Sequence, residues 1–303
     1  MKRTESDDLQ SLPVSTPLRY VIVTPARNEA GFIEALIQSV LAQTVLPLRW
    51  VIVSDGSTDG TDEIVRGYTS RFPWMQLLSM PQRKARNFAG KVHAFNAGFE
   101  AVKGLPYQAI ASLDADLTFD PQYFEFLLSK LAADPSLGLV GTPFEEEGRT
   151  YDYRFVSIEH VSGACQLFRR RCFEDIGGYI PMEGGGIDHV AVLTARMKGW
   201  HTRTFTEMKS QHHRKQGTAN RSALQDKLRI GKLDYRLGGH PLWELFRATY
   251  QLAKPPYLLG GLFIFWGYFS QWLRRAPRPI SDELVRFRQG EQKARLRKLI
   301  GAG

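Results

Sequence analysis

Cysteine is nearly absent. The 303 residues hold two, Cys165 and Cys172, too few for a disulfide framework, so a reducing compartment is the simpler expectation and both thiols read as inert apolar fillers. No Gly-x-Gly-x-x-Gly follows the first apolar run, which argues against a dinucleotide-dependent dehydrogenase. No zinc-ligand spacing and no interleaved basic and aromatic pattern is present, so nothing supports a nucleic-acid partner. Internal repeats and low-complexity segments are missing too. The stretch Met1 to Asp8 is charged and no apolar core follows it, so no secretory signal is expected and residues 1–18 read as a loose leader. Acidic charge is scarce at one end only. From Arg214 to Gly303 there are 18 Lys and Arg against 6 Asp and Glu, and in the remainder 22 against 25. The net charge of +9 therefore belongs to the tail and not to the body.

What is present is an ordinary globular composition, 43% hydrophobic and 23% charged, long enough for a sizeable core in one or two domains. Tyr20 to Thr24 is a β-branched run without alternation, which suits a central strand covered on both faces. It stops at Pro25, and a polar loop through Glu29 follows. Phe32, Ala35, Leu36, Ser39, Val40 and Leu41 recur at helical spacing. Trp50 to Val53 is the next strand and ends in Ser54-Asp55-Gly56-Ser57-Thr58-Asp59-Gly60, a turn before a helix through Ile64 and Val65, with Asp59 read as a cap.

The alternation continues. A strand is expected at Trp74–Leu78, a helix at Lys91–Ala101 and a strand at Ala109–Leu113. A helix should then open with Asp120 as N-cap and Pro121 at its first position, with a further strand at Leu137–Gly141. Strand, loop, helix in repetition predicts an α/β fold, a mostly parallel sheet with helical crossovers and its functional loops on one edge. Farther on, Asp188 stands at the head of a helix with Val190, Leu193 and Met197 on its apolar face, and Gly199 is placed to end it. Thr202–Phe205 reads as an edge strand and Gln211-His212-His213-Arg214 as a polar loop. Arg169-Arg170-Arg171 reads as a solvated face or a site for an acceptor phosphate.

Ala111-Ser112-Leu113-Asp114-Ala115-Asp116 is an apolar run ending in two carboxylates one residue apart. At the C-terminal end of a buried strand such a pair can hold a hard divalent cation, which favours oxygen ligands and keeps phosphate oxygens in its shell. Alone the pair is a weak signal, since Asp-x-Asp is common in solvated loops.

In company it is stronger. Thr24-Pro25-Ala26-Arg27-Asn28-Glu29, Asp55-Gly56-Ser57-Thr58-Asp59-Gly60-Thr61, Leu113-Asp114-Ala115-Asp116 and Asp188, in that order and spacing, resemble the family 2 glycosyltransferases, inverting enzymes with the GT-A, or nucleotide-diphospho-sugar transferase, fold. The resemblance covers roughly Arg19 to Gly217. It implies a catalytic domain over 19–217, with a nucleotide-sugar half at about 19–120 and an acceptor half at about 121–217. The site it implies has Pro25, Arg27 and Glu29 lining the nucleotide pocket, Asp55 accepting a hydrogen bond from the base, and Lys91 near the diphosphate. Asp114 would lie near the ribose and metal, Asp116 would ligate the metal, and Asp188 would be the catalytic base. His212 or His213 would complete the shell of a Mg2+ or Mn2+ ion, the second gaining more from an imidazole. Where many members have an acidic pair, this chain has Ile187-Asp188, so the base is kept and its neighbour is not.

The chemistry agrees. A departing nucleoside diphosphate needs its charge neutralised, and an acceptor hydroxyl needs a carboxylate to take its proton during attack. The donor is expected to be UDP- or GDP-linked, and the acceptor a lipid-linked or saccharide precursor of an envelope polysaccharide. Gln211-His212-His213-Arg214 is followed by Lys215, where processive synthases have Gln-x-x-Arg-Trp, so one transfer per encounter is expected. The alternatives are a sugar-phosphate nucleotidyltransferase, disfavoured because no Gly-rich basic loop follows the first strand, and a non-catalytic nucleotide-sugar-binding partner.

Residues 218–303 read as a helical tail. No charged side chain occurs from Pro255 to Trp272, and Lys254, Arg274, Arg275 and Arg278 flank that run. Its length is at the low end for a span, and its glycines and aromatics look interfacial. The alternative is a buried helix. The segment Asp282–Ile300 is expected to lie as an amphipathic helix on the body or on lipid. Together these place the protein at the cytoplasmic face of a membrane, peripheral, monotopic or with a single span through about 255–273.

Overall fold

The computed structural model describes residues 18–82, 88–146, 157–182, 184–214, 222–299 and 301. The loose leader expected at 1–18 lies almost wholly outside them. In chain order the body contains β1 (Tyr20–Ala26), α1 (Ile33–Leu41), β2 (Arg49–Asp55), α2 (Thr61–Thr69), β3 (Met75–Met80), α3 (Phe88–Val102), β4 (Ala109–Leu113) and β5 (Leu117–Phe119). It continues with α4 (Tyr123–Ala133), β6 (Leu137–Gly141), β7 (Phe144–Glu145), β8 (Cys165–Arg169), α5 (Arg170–Asp175), α6 (Ile187–Met197), β9 (His201–Thr204) and β10 (Ser210–His212).

The main sheet runs β3-β2-β1-β4-β8-β6-β9. It is parallel throughout except for β8, which pairs antiparallel with both β4 and β6. The unbroken apolar runs of β1 and β2 hide a period of two. Tyr20, Ile22, Trp50 and Ile52 pack on one face with Leu36, Ile37 and Val40 of α1 and Leu127 of α4. Val21, Val23, Val51 and Val53 pack on the other with Phe95 of α3 and Val190 of α6. Helices cover both faces, so every residue of these strands can be apolar.

Three expectations shift. The helix after Asp116 begins at Tyr123 and not at Pro121, because Asp120 takes the Gln122 N–H on its carboxylate at 2.9 Å while its carbonyl holds Gln43 and that of Pro121 holds the Thr44 N–H. Gln211-His212 is not loop. With Ser210 it forms β10, the centre of a second sheet ordered β5-β10-β7. The Arg169–Arg171 run is not simply solvated, since Arg169 donates to the carbonyls of Leu131 and Leu137 and Arg170 to those of Leu105 and Lys103. Both cysteines are buried and unbridged, and burial pushes each thiol up to about 12.

The tail folds onto the body as α7 (Ala223–Arg236), α8 (Pro241–Leu252), α9 (Leu259–Leu273) and α10 (Asp282–Leu299). Ser222 and Gln225 start α7 with a reciprocal capping box. Glycines let helix backbones touch. A Cβ on Gly231 would stand 2.1 Å from the Ile264 carbonyl oxygen, and one on Gly267 2.3 Å from that of Leu228, so only glycine permits the α7–α9 approach. The last segment, α10, lies on the body, where Glu291 accepts from Arg196 Nε and Nη2 of α6 at 2.8 and 2.7 Å. No helix of the described residues is long and apolar enough to cross a membrane. The 255–273 stretch instead forms a turn and the 15-residue α9, with one face buried.

Candidate active site

The parallel strands end together at one edge of the sheet. Pro25 is in register with Val53 and Ala26 with Ser54, so the loop after β1 faces the end of β2. There the Arg27 guanidinium is 3.7 Å from the Asp55 carboxylate. Asp59 braces the same corner, accepting from the Ala30 N–H at 2.9 Å and from the Thr61 N–H and hydroxyl at 3.1 and 2.5 Å. Burial, the largest single influence, raises its carboxyl, but these hydrogen bonds together, that from the Thr61 hydroxyl first, outweigh it and hold the carboxyl below the ordinary value. Asp59 therefore braces the turn rather than capping α2 as expected, since the cap position is Gly60 and carries no side-chain hydrogen bond.

Asp114 leaves the end of β4 and anchors its N–H on the Ala164 carbonyl at 2.9 Å. Lys91 of α3 donates to Asp114 Oδ1. Burial alone would depress the Lys91 ammonium, but Asp114, then Asp188 and Asp116, raise it above the usual lysine value. Burial raises Asp114 in turn, against the pull of Lys91 and with the Asp116 charge adding to the rise. One ammonium thus sits among the Asp114 and Asp116 pair and Asp188, which lies more than 70 residues farther along the chain.

β10 delivers the imidazole. His212 is opposite Leu117 of β5, and its Nε2 is 3.5 Å from Asp116 Oδ1. Successive strand residues point to opposite faces, so His213 turns away and its Nε2 meets the Thr118 hydroxyl at 2.8 Å. Of the two histidines left open by the sequence, His212 faces the carboxylates. Asp114, Asp116 and His212 each offer a ligand atom within 4.8 Å of the others. The buried His212 Nδ1 has no hydrogen-bond partner among the described residues. Two carboxylates and an imidazole suit Mn2+ or Mg2+, so the residues present fit a divalent cation.

Asp188 is the second residue of α6, after Gly186 at φ +85°, so it is not the N-cap. Lys91, Ser112, Gly163, Gln166, Tyr179 and Asp188 line one small cleft. Gly163 leaves the room Asp188 needs, because a Cβ there would stand 2.8 Å from that of Asp188. The cleft wall is locked. Tyr179 donates to Gln166 Oε1 at 2.7 Å, and Gln166 Nε2 donates to the Val161 carbonyl at 3.1 Å and the Asp188 carbonyl at 3.3 Å.

Arg214 reads from the sequence as part of a polar loop with no role in the site. It donates to both oxygens of Glu29, and its Nε is 3.9 Å from Asp116 Oδ2. Glu29 is therefore the anchor of a clasp across the site. The available signal was period two, since residues 212 and 214 share a side of an extended chain. Gln166 and Tyr179 carried no such signal.

Residues 21–183, more than half of the chain, match the model of "Glycosyl transferase family 2". The chain is 35% identical over 179 residues to the succinoglycan biosynthesis protein ExoA of Rhizobium meliloti, covering 52% of each. It is 33% identical over 121 residues to a chondroitin synthase of Pasteurella multocida, covering 40% of this chain but 12% of that protein. The chain thus spans about half or less of these curated relatives. Among solved structures, a mannosyltransferase from Pyrobaculum calidifontis in complex with GDP-Man and Mn2+ aligns with a TM-score of 0.58 and 19% identity, over 95% of this chain and 77% of that one. The S. aureus TarS 1–349 structure in complex with UDP-GlcNAc aligns with a TM-score of 0.55 and 14% identity, over 85% and 73%. At these identities the likeness is one of fold.

Proposed function

The chain belongs to glycosyl transferase family 2, and we propose that it moves a single sugar, with inversion, from a UDP- or GDP-linked donor to a hydroxyl of a lipid-linked or saccharide precursor of an envelope polysaccharide. The observation that carries this reading is Lys91 held among Asp114, Asp116 and Asp188, with His212 closing the acidic pair. Arg27 and Asp55 form the far wall, where Asp55 accepts from the nucleobase and Pro25 limits the pocket. Arg214 and Glu29 tie the two ends of the site together.

Asp188 takes the proton from the acceptor hydroxyl as its oxygen bonds to the anomeric carbon. The bond from that carbon to the diphosphate oxygen breaks on the opposite side, so configuration inverts. Lys91 adds positive charge beside the departing diphosphate. Held by Asp116 and His212, with Asp114 behind them, Mg2+ or Mn2+ would neutralise the leaving group's charge. A diphosphate donor is too charged to cross a bilayer, so a lipid-linked acceptor places the reaction at the cytoplasmic face of a membrane.

The test is a panel of nucleotide-sugars screened by melting temperature with and without Mn2+. A true donor stabilises by about 2.7 kcal/mol at a hundred times its Kd, and with acceptor it should release nucleoside diphosphate. No stabilisation by any donor would end the reading. Release of inorganic diphosphate from a nucleoside triphosphate and a sugar phosphate would replace it with nucleotidyl transfer.

A further inference from the structure

Among the described residues, twelve of the sixteen large apolar side chains left exposed fall between Leu242 and Leu273. They are ordered, not scattered. On α9, Leu259, Leu262, Trp266 and Leu273 recur at intervals of three, four and seven, one stripe along the helix. The other face, from Gly260 and Gly261 through Ile264, Gly267 and Tyr268, is buried. On α8, Leu242, Phe246 and Tyr250 are exposed while Glu244 and Ala248 are buried. The two helices run antiparallel, since Gly261 meets the Ala248 carbonyl and the Tyr268 hydroxyl donates to the Gly239 carbonyl at 2.6 Å.

The charge around this surface has one sign. No acidic residue occurs from Leu245 to Ser281, whereas Arg247, Lys254, Arg274, Arg275 and Arg278 do. A second copy would bring like-charged rims together, while an anionic bilayer is complementary to both the apolar stripe and its basic flanks. Exposed Tyr257, Trp266 and Trp272 are residue types suited to the headgroup level. The geometry of α9 suits a surface position better than a span. The 15 residues of α9 reach about 22 Å at 1.5 Å per residue, short of a hydrocarbon core of about 30 Å, and the backbone contacts of Gly231 and Gly267 hold α9 on α7.

We propose that the exposed face of α8 and α9 docks on an anionic phospholipid bilayer, with α9 lying in the plane of the interface. The docked hairpin is tied to the site. It rests on α7, and at the end of α7 Arg236 and Leu237 meet Gly184 and Gly186, in the loop that leads into Asp188. Docking is independent of the reaction proposed above, and vesicle binding needs neither donor nor acceptor.

The test is flotation of the full chain with phosphatidylcholine vesicles, with and without phosphatidylglycerol, at low and high salt. The chain should float with the anionic vesicles and be released by salt. The pair Leu262→Glu and Trp266→Glu should weaken binding by about tenfold or more, the scale of large side chains leaving an apolar phase. Arg274→Glu with Arg275→Glu should weaken binding to anionic vesicles only. Both variants should keep the melting temperature of the parent, which shows that they fold. Equal binding to neutral vesicles, or no flotation by the intact chain, overturns the proposal. So does a dimer, seen by analytical ultracentrifugation, that the Leu262 and Trp266 changes break in a chain that never floats.

Discussion

Arg214 and Glu29, 185 residues apart, meet through a two-pronged ion pair, Nη1 to Oε1 at 2.9 Å and Nη2 to Oε2 at 2.5 Å. The guanidinium also lies over the Phe32 ring, 5.2 Å from its centroid. This contact closes the end of β10 onto the loop after β1. It fixes Glu29 and that loop relative to Asp116, whose Oδ2 is 3.9 Å from Arg214 Nε.

A double-mutant cycle on Arg214→Ala and Glu29→Gln should give a coupling of about 1.5–3 kcal/mol, the range for hydrogen bonds to charged groups. Arg214→Lys should recover little of it, because an ammonium cannot match the fork. Urea unfolding measures both. Coupling below about 0.5 kcal/mol would place the pair among ordinary surface ion pairs.

Mn2+ affinity separates the two histidines. His212→Ala and Asp116→Asn should each weaken Mn2+ binding by about tenfold or more, the scale of losing one ligand contact, whereas His213→Ala should leave it unchanged. Isothermal titration with Mn2+ and donor reads this directly. An equal effect of His212 and His213 would contradict the strand geometry.

Substituting Asp188→Asn should lower the transfer rate by about 10²–10⁴-fold, the usual worth of a positioned base, while donor binding is kept. Gly163→Ala acts on the same group indirectly, since its new methyl would press on the Asp188 Cβ at 2.8 Å. It should reduce kcat and leave the donor Kd unchanged. Unchanged turnover in Asp188→Asn would remove it as the base.

The tail carries its own titration. Glu244 of α8 is fully buried, with its Oε2 3.4 Å from Arg247 Nη1, which is also 3.1 Å from Asp234 Oδ1. Burial first, and the Asp234 charge second, push the Glu244 carboxyl up from 4.5 to about 8. The native state therefore holds a proton that the unfolded chain has released. Stability from this group is full below about 4.5 and is lost as pH rises to about 8. Melting temperatures across that window should fall more steeply for the parent than for Glu244→Gln. Parallel curves would show that Glu244 does not titrate there.

Much of the body was legible. The β-branched runs at Tyr20 and Trp50 became central strands, because chains apolar on both faces are stable only inside a sheet covered twice. Asp55 and Asp114 could be placed at strand ends for the same reason, and Asp188 at a helix head by the apolar spacing of Val190, Leu193 and Met197 after it. β10 was not legible, since Ser210, Gln211 and His212 are polar and become a strand only by pairing with β5 and β7. Nor was Arg214, whose partner lies at the other end of the body. The apolar stretch before Arg274 looked uniform, and neither composition nor periodicity showed which half of it Gly231 of α7 would cover.

The sequence by itself determined the α/β alternation and the order of the carboxylates, because backbone preference and hydrophobic period act over a few residues. Tertiary structure decided which charges meet. An antiparallel β8 brought Gly163 beside Asp188, the small sheet turned His212 inward, and Arg214 reached Glu29. Contacts between residues distant in the chain depend on how the elements pack, and no local spacing encodes them. The same packing buried one face of α9 on α7 and left the other exposed.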